Sequence, residues 1–258
     1  MRPLALITGA SRGIGRAIAF ALAPEHALVL GGRDRRALDA LVDELRPLAH
    51  GPVNALPCEL ADPADRERFL LELASLCDQL GAPVQVLVNN AGAAHSAPLA
   101  RTDDDRWAAL MALNLTAPFA LTRALVPGMV RVGWGRVVNI ASTAALKGYA
   151  YTAAYAASKA GLVGLTRALA VELASKRVTI NAVCPGFTDT DIVTRAAENI
   201  QTATGRSVDE ARATLARFSP QQRLRSPEEV AALVAYLCSP AADGITGQAL
   251  AIDGGETA

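Results

Sequence analysis

Aromatic residues make up only 4% of the 258 residues, although 51% are apolar. The core is therefore mostly Ala, Leu and Val, and few rings remain for stacking bases or sugars. An excess of one charge is missing too: 25 Lys and Arg balance 25 Asp and Glu. No field steers the chain onto nucleic acid or an anionic membrane, so a small-molecule partner is expected. Cysteine is scarce, and Cys58, Cys77, Cys184 and Cys238 form no C-x-x-C pair. They are expected to be reduced core residues of a cytoplasmic protein. His26, His50 and His95 are too scattered for a metal site, and none is expected. No apolar run approaches the roughly 18 residues of a membrane span, and Gly9 follows Met1-Arg2-Pro3 too soon for a secretory leader. Linkers rich in Pro, Gly or Ser, low-complexity tracts and long-period repeats are absent, so residues 1–258 are expected to form one domain.

What is present is a regular alternation of short apolar runs with segments of helical period. The runs lie near 4–7, 27–31, 53–57, 84–89, 136–141, 178–183 and 248–252. This rhythm predicts an α/β fold, a parallel sheet with helices on both faces. Ligands of such sheets sit beyond the carboxyl ends of the strands.

Tyr155 and Lys159 are four residues apart, which on a helix puts phenol and ammonium on one face. A cation there favours phenolate, lowering the Tyr155 pKa from about 10 toward the range of a general acid/base. Upstream, the run Arg136-Val137-Val138-Asn139-Ile140-Ala141 delivers the Ser142 hydroxyl to a strand end. An ordinary pair on an Ala-rich helix is the alternative for Tyr155 and Lys159; Ser142 argues against it.

Thr8-Gly9-Ala10-Ser11-Arg12-Gly13-Ile14-Gly15-Arg16 joins the first run to a helix reaching about Ala23. Gly9, Gly13 and Gly15 suit a backbone that turns tightly and approaches a pyrophosphate, with N–H donors from the helix N-terminus. A plain strand-to-helix turn is the alternative. The second run ends at Gly32-Arg33, where a carboxylate would bind a ribose diol and an Arg suits a 2′-phosphate. With Arg12 as a second cation, this favours NADP(H) over NAD(H); a solvated helix start is the alternative for Arg33. Asp34 is expected to cap the next helix. Cys58-Glu59-Leu60 and Asn89-Asn90-Ala91-Gly92 leave the third and fourth runs, suited to lining a nucleoside or to forming turns. A helix from about Thr102 to Val130 is predicted, with Thr102 as N-cap. Pro118 should distort it around Asn114, freeing a carbonyl for a water.

In order and spacing, Thr8-Gly9-x-x-x-Gly13-x-Gly15, Asn89-Asn90-Ala91-Gly92, Asn114, Ser142, Tyr155-x-x-x-Lys159 and Pro185-Gly186 resemble the short-chain dehydrogenase/reductase family. The resemblance runs to Gly247 and the tail Asp253-Gly254-Gly255. It implies a single Rossmann-type doubly wound domain with a seven-stranded parallel sheet. It further implies an oxidoreductase that interconverts a ketone and a secondary alcohol with a nicotinamide cofactor. Tyr155 would protonate the carbonyl oxygen and Ser142 would hydrogen-bond it. Lys159 would hold the nicotinamide ribose and lower the Tyr155 pKa, and Asn114 would anchor a relay water. Cofactor contacts are implied at Gly9, Ser11, Arg12, Gly13, Ile14 and Gly15, at Arg33, and at Glu59 and Leu60, where Glu59 replaces the usual Asp. Asn90, Ala91 and Gly92, then Tyr155 and Lys159, then Pro185, Gly186, Thr188 and Thr190 complete the set. A homotetramer is implied as well.

Residues from about 190 to 225 are expected to form a substrate lid of two amphipathic helices around Thr204-Gly205-Arg206. Ile192, Val193, Ile200, Leu215 and Phe218 would line an apolar pocket or hold the lid together. The chain looks most like 3-oxoacyl reductases acting on carrier-protein or coenzyme A thioesters. Of the two basic positions that dock a carrier, one matches Lys176; the other falls at Gly133, with Arg131 and Arg136 nearby. Alternatives are an alcohol or 3-hydroxy acid dehydrogenase on a non-thioester substrate and, remotely, a non-catalytic nucleotide-binding protein.

Overall fold

Leu4-Ala5-Leu6-Ile7 has no polar side, and because successive strand residues face opposite ways, both faces of such a strand must be covered. The structure, a computed structural model describing residues 2–258, covers them with helices. Seven strands, β1 (Leu4–Thr8), β2 (Ala27–Gly32), β3 (Val53–Pro57), β4 (Val84–Asn89), β5 (Gly135–Ile140), β6 (Val178–Pro185) and β7 (Ala249–Ile252), form one sheet. Its order is β3-β2-β1-β4-β5-β6-β7, and every pairing is parallel. The chain leaves β1 in opposite directions toward β2 and β4, which opens a crevice at the β1/β4 strand ends.

Helices α1 (Gly13–Leu22), α2 (Arg35–Leu45), α3 (Pro63–Leu80), α4 (Asp104–Met111), α5 (Ala117–Val132), α6 (Ala153–Leu173), α7 (Asp191–Thr204), α8 (Val208–Ala216) and α9 (Pro227–Cys238) complete the fold. On one face, Ala5, Ile7, Leu28, Leu30 and Val88 pack with Ile18 and Leu22 of α1, Leu41 of α2 and Val234 of α9. On the other, Leu4, Leu6, Val29, Leu87 and Val137 pack with Phe69 of α3 and with Leu121 and Met129 of α5. Each such side chain stabilises by about 1.5–3 kcal/mol on full burial.

The start of the long helix differs from expectation. The N-cap of α4 is Asp103, whose carboxylate accepts from Arg106 N at 2.7 Å, rather than Thr102, whose hydroxyl turns back to the Pro98 carbonyl. A carboxylate suits the positive helix end better than a hydroxyl. Residues Ala112–Thr116 form a π-helical turn between α4 and α5, as Pro118 requires: it cannot donate to the Asn114 carbonyl. Across this turn, Asp104–Val132 is one continuous helix of 29 residues, long and apolar enough to cross a membrane by those criteria alone. The expectation of no span-like segment counted unbroken apolar runs, which Asn114, Thr116 and Pro118 interrupt here. Leu110, Leu121 and Met129 of this helix are buried inside the protein.

Candidate active site

Gly9 and Gly13 at the β1 exit have φ of +64° and +53°, a region that favours glycine. The α1 N-terminus has no side-chain cap and no acidic residue in its first turn, so its orphan N–H groups are available to an anion. A Cβ on Gly15 would stand 2.5 Å from Asn90 Nδ2 and closer still to Gly9 O, so helix and turn meet backbone to backbone. An uncapped helix end beside glycine backbone fits the pyrophosphate of a dinucleotide. The Asn90 side chain is committed to this cradle: Nδ2 donates to Thr8 O at 2.9 Å and Gly9 O at 3.1 Å. Thr8 Oγ1 accepts from the Asn90 and Ala91 N–H groups, both at 3.0 Å, an anchoring role its motif position alone did not disclose. Ser11 and Ile14 are half-buried in the turn, with Ile14 packed against the core.

Arg33 is exposed and pairs with Glu59 at 3.3 Å, so the expected phosphate contact and the expected adenine contact are partners. Asp34 caps α2 through Ala37 N at 3.1 Å and is thereby turned from the ribose position. Leu60 is 4% exposed, its side chain in the core, which leaves its backbone to face a ligand. Arg12 pairs with Asp191 at 3.0 Å, joining the cradle to α7. Thr190 is the N-cap residue of α7, its methyl 3.1 Å from where a Gly13 Cβ would stand. Thr188 is buried and donates to the Gly186 carbonyl at 3.0 Å, just past Pro185 at the end of β6.

Ser142 follows β5 as the N-cap of a single 3₁₀ turn, its hydroxyl accepting from Ala144 N at 3.1 Å. Tyr155 and Lys159 ride on α6. Lys159 Nζ lies 6.0 Å from the Tyr155 ring centroid and donates to the Ile140 carbonyl at 2.8 Å. A Cβ on Gly92 would come within 3.3 Å of that ammonium. Asn114 is fully buried; its Nδ2 donates to Ala93 O at 2.9 Å and Ser158 Oγ at 3.0 Å, and its Oδ1 accepts from Ala93 N at 3.0 Å. The amide thus pins the β4 exit to α6, with the π-turn backbone beside it. Ser158, inside the Tyr-x-x-x-Lys spacing, is the partner the sequence reading passed over.

Electrostatics correct one expectation. Burial raises the Tyr155 phenol above its ordinary value, and a hydrogen bond with Ser142 pulls it only partly back. Burial also lowers Lys159 to about 8, so the ammonium is itself poised to lose a proton. Spacing alone suggested a depressed phenol; the half-buried position of the ring favours the neutral form instead. A protonated phenol is the form that donates to a carbonyl oxygen. Nearby Cys184 is held at about 11 by burial and is no nucleophile.

Residues 190–225 contain the expected two helices, α7 and α8, separated at Gly205, whose φ is +74°. Val193 and Leu215 are buried, serving to hold them together. Ile200 is half-buried and Ile192 exposed. Phe218, 45% exposed, stacks with Phe187, their ring centroids 5.2 Å apart.

The family described as short chain dehydrogenase matches residues 3–201. The chain is 39% identical over 257 residues to the 3-oxoacyl-[acyl-carrier-protein] reductase of Vibrio cholerae serotype O1, covering 98% of this chain and 96% of that protein. A variant of actinorhodin polyketide ketoreductase, solved with NADPH, superposes with a TM-score of 0.92 at 36% identity, covering 99% of this chain and 97% of that one. L-Sorbose reductase from Gluconobacter frateurii, complexed with NADPH and L-sorbose, superposes with a TM-score of 0.91 at 29% identity, covering the same shares of the two chains. By family match, by identity over nearly the whole chain and by superposition, this chain is a member of the short-chain dehydrogenase/reductase family, an NAD(P)-dependent oxidoreductase.

Proposed function

We propose that the chain is an NADP(H)-dependent ketoreductase that reduces a 3-oxoacyl thioester to the 3-hydroxyacyl thioester. The observation that carries this reading is the convergence of Ser142, Tyr155 and Lys159 beyond β5, beside a cradle built for a pyrophosphate. Similarity to a 3-oxoacyl reductase across nearly the whole chain supports the substrate class. Bound nicotinamide dinucleotide supplies the hydride. Tyr155 gives its proton to the carbonyl oxygen, and Ser142 donates a hydrogen bond to the same atom. With the dinucleotide bound, Lys159 would hold its nicotinamide ribose and restore the Tyr155 proton through a water at the Asn114 carbonyl, and Thr188 and Thr190 would contact its carboxamide.

A non-thioester substrate is the second reading, favoured by the loss of one basic group near the expected carrier dock. Arg136, near the expected carrier dock, is 1% exposed and bound to Asp243, which leaves exposed Lys176 and Arg131 for docking. A panel of acetoacetyl-CoA, longer 3-oxoacyl thioesters, free β-keto acids, cyclic ketones and ketoses, read by NADPH absorbance, decides between them. Thioesters rank first under our reading; faster turnover of free ketones or hydroxy acids than of any thioester overturns it.

For the cofactor, NADPH-bound neighbours support a site for the 2′-phosphate, and Gly32-Arg33 supplies room and a guanidinium. The Glu59 pair is exposed and worth at most about 1 kcal/mol, so a phosphate dianion displaces it. Arg33→Ala is expected to raise the KM for NADPH about tenfold, one charged hydrogen bond, with little change for NADH. A parent that prefers NADH, or an unmoved preference, refutes this.

Apolar groups also remain uncovered. Trp107, Phe119 and Val132 on the long helix and Val171 on α6 are 43%, 40%, 47% and 85% exposed. These two helices would pair across one two-fold, and a second two-fold near β7 would complete a homotetramer of 222 symmetry. Sedimentation is expected to give four protomers; a monomer at micromolar concentration excludes it.

A further inference from the structure

Four side chains outside the Ser/Tyr/Lys/Asn set converge on the substrate side of the strand ends. Glu256, in the tail after β7, has a side chain 1% exposed, and its carboxylate faces Lys147 Nζ at 3.2 Å. The same carboxylate binds the Tyr149 hydroxyl, and Lys147 Nζ also donates to the Glu256 carbonyl at 3.2 Å. The Tyr149 oxygen lies 2.7 Å from Oγ1 of Thr143, which is buried and directly follows Ser142. Glu256 Oε2 looks the other way, 3.0 Å from where a Cβ on Gly186 would stand. One carboxylate is thus wedged between the β5 and β6 exits.

A buried carboxylate persists only where it is paired and hydrogen-bonded, so this arrangement is not an incidental surface contact. Tyr149 is raised by burial and then by its bond to Glu256, which keeps the phenol protonated. A carboxylate can only accept; it takes the phenol proton, and the Thr143 hydroxyl donates to the phenol oxygen. This is a directed chain from the tail to the residue beside Ser142. The loop it grips is strained: Tyr151 has φ of 66°, a costly region for a bulky side chain, and its carbonyl holds Ala97 N at 2.8 Å. Such a loop keeps its shape only if held from outside.

We propose that Glu256 is a positioning residue. Through Tyr149 and Thr143, with Lys147 as counter-ion, it holds the loop that begins at Ser142 in the form that aims the Ser142 hydroxyl at the substrate carbonyl. This rests on the ketoreductase reading above.

The test compares Glu256→Ala, Glu256→Gln and Tyr149→Phe with the parent, by kinetics with NADPH and acetoacetyl-CoA and by hydrogen exchange of the whole chain. Glu256→Ala is expected to lower kcat about tenfold, the loss of one charged hydrogen bond, with NADPH affinity kept within about twofold. Exchange should quicken over residues 143–151 and stay parental in α1. Glu256→Gln, whose amide oxygen still accepts from Tyr149, should recover part of kcat, and Tyr149→Phe should behave as Glu256→Ala does. Parental kcat with parental exchange over 143–151 overturns the proposal, as does loss of protection spread evenly through the sheet. If Glu256→Ala does not fold, the other two variants carry the same comparison. A parent inactive on every ketone refutes the reaction reading, while the exchange measurement still decides whether Glu256 holds the loop.

Discussion

Tyr155→Phe is expected to cut kcat by about 10²- to 10⁴-fold, the usual worth of a general acid, with NADPH binding nearly unchanged. The ring's packing is kept, and only the proton donor and its bond to Ser142 go. The pH profile of the parent carries the matching signature. Because burial holds the phenol above its ordinary value, it stays protonated through neutrality, and kcat/KM for reduction should be flat there. The rate should fall above about 8, where Lys159 loses its charge and Tyr155 its proton supply. Alcohol oxidation needs the phenolate instead, so its rate should climb with pH. A Phe variant that keeps most of the parent's activity, or a reduction rate that falls between pH of about 6 and 7, contradicts the assignment of Tyr155 as acid.

Gly15→Ala should abolish cofactor binding and destabilise the chain together. The new methyl would stand 2.5 Å from Asn90 Nδ2 and closer to the Gly9 carbonyl, and neither can retreat. Asn90 is tied to Thr8 and Gly9, and the Gly9 backbone is itself the cradle. Overpacking of this kind costs about 1–3 kcal/mol or more, and any relief displaces the N–H groups that meet the pyrophosphate. NADPH affinity is expected to drop at least about a hundredfold, with a lower Tm. Gly81→Ala serves as the control: it also has positive φ, of 64°, but nothing lies within 4 Å of its Cβ. It should lose stability through backbone strain alone and still bind cofactor. Equal cofactor affinity in the two variants would refute the close-approach argument.

Local chemistry was legible where one side chain or one period suffices. Apolar runs marked the seven strands to within a residue or two, and the five inner ones, buried on both faces, have no choice but to be apolar. Pro118 foretold the π-turn at Asn114, since a missing N–H disrupts the helix whatever surrounds it. Asp34 as a cap and Gly205 as the break between α7 and α8 were legible for the same reason. Partnerships were not. Nothing in the spacing of Arg33 and Glu59, or of Arg136 and Asp243, says that they pair, because strands adjacent in the sheet and loops around it bring them together.

The sequence by itself determined the class of fold, the strand-end position of Ser142, the helical pairing of Tyr155 with Lys159 and the glycine cradle. Each of these depends on residues within a turn or two of one another. Only the tertiary structure decided the electrostatics: that Tyr155 is raised rather than lowered, that Lys159 falls to about 8, and that Glu256 reaches Tyr149 across 107 residues of chain. Desolvation depends on everything that packs around a group, and a one-dimensional spacing carries no record of that.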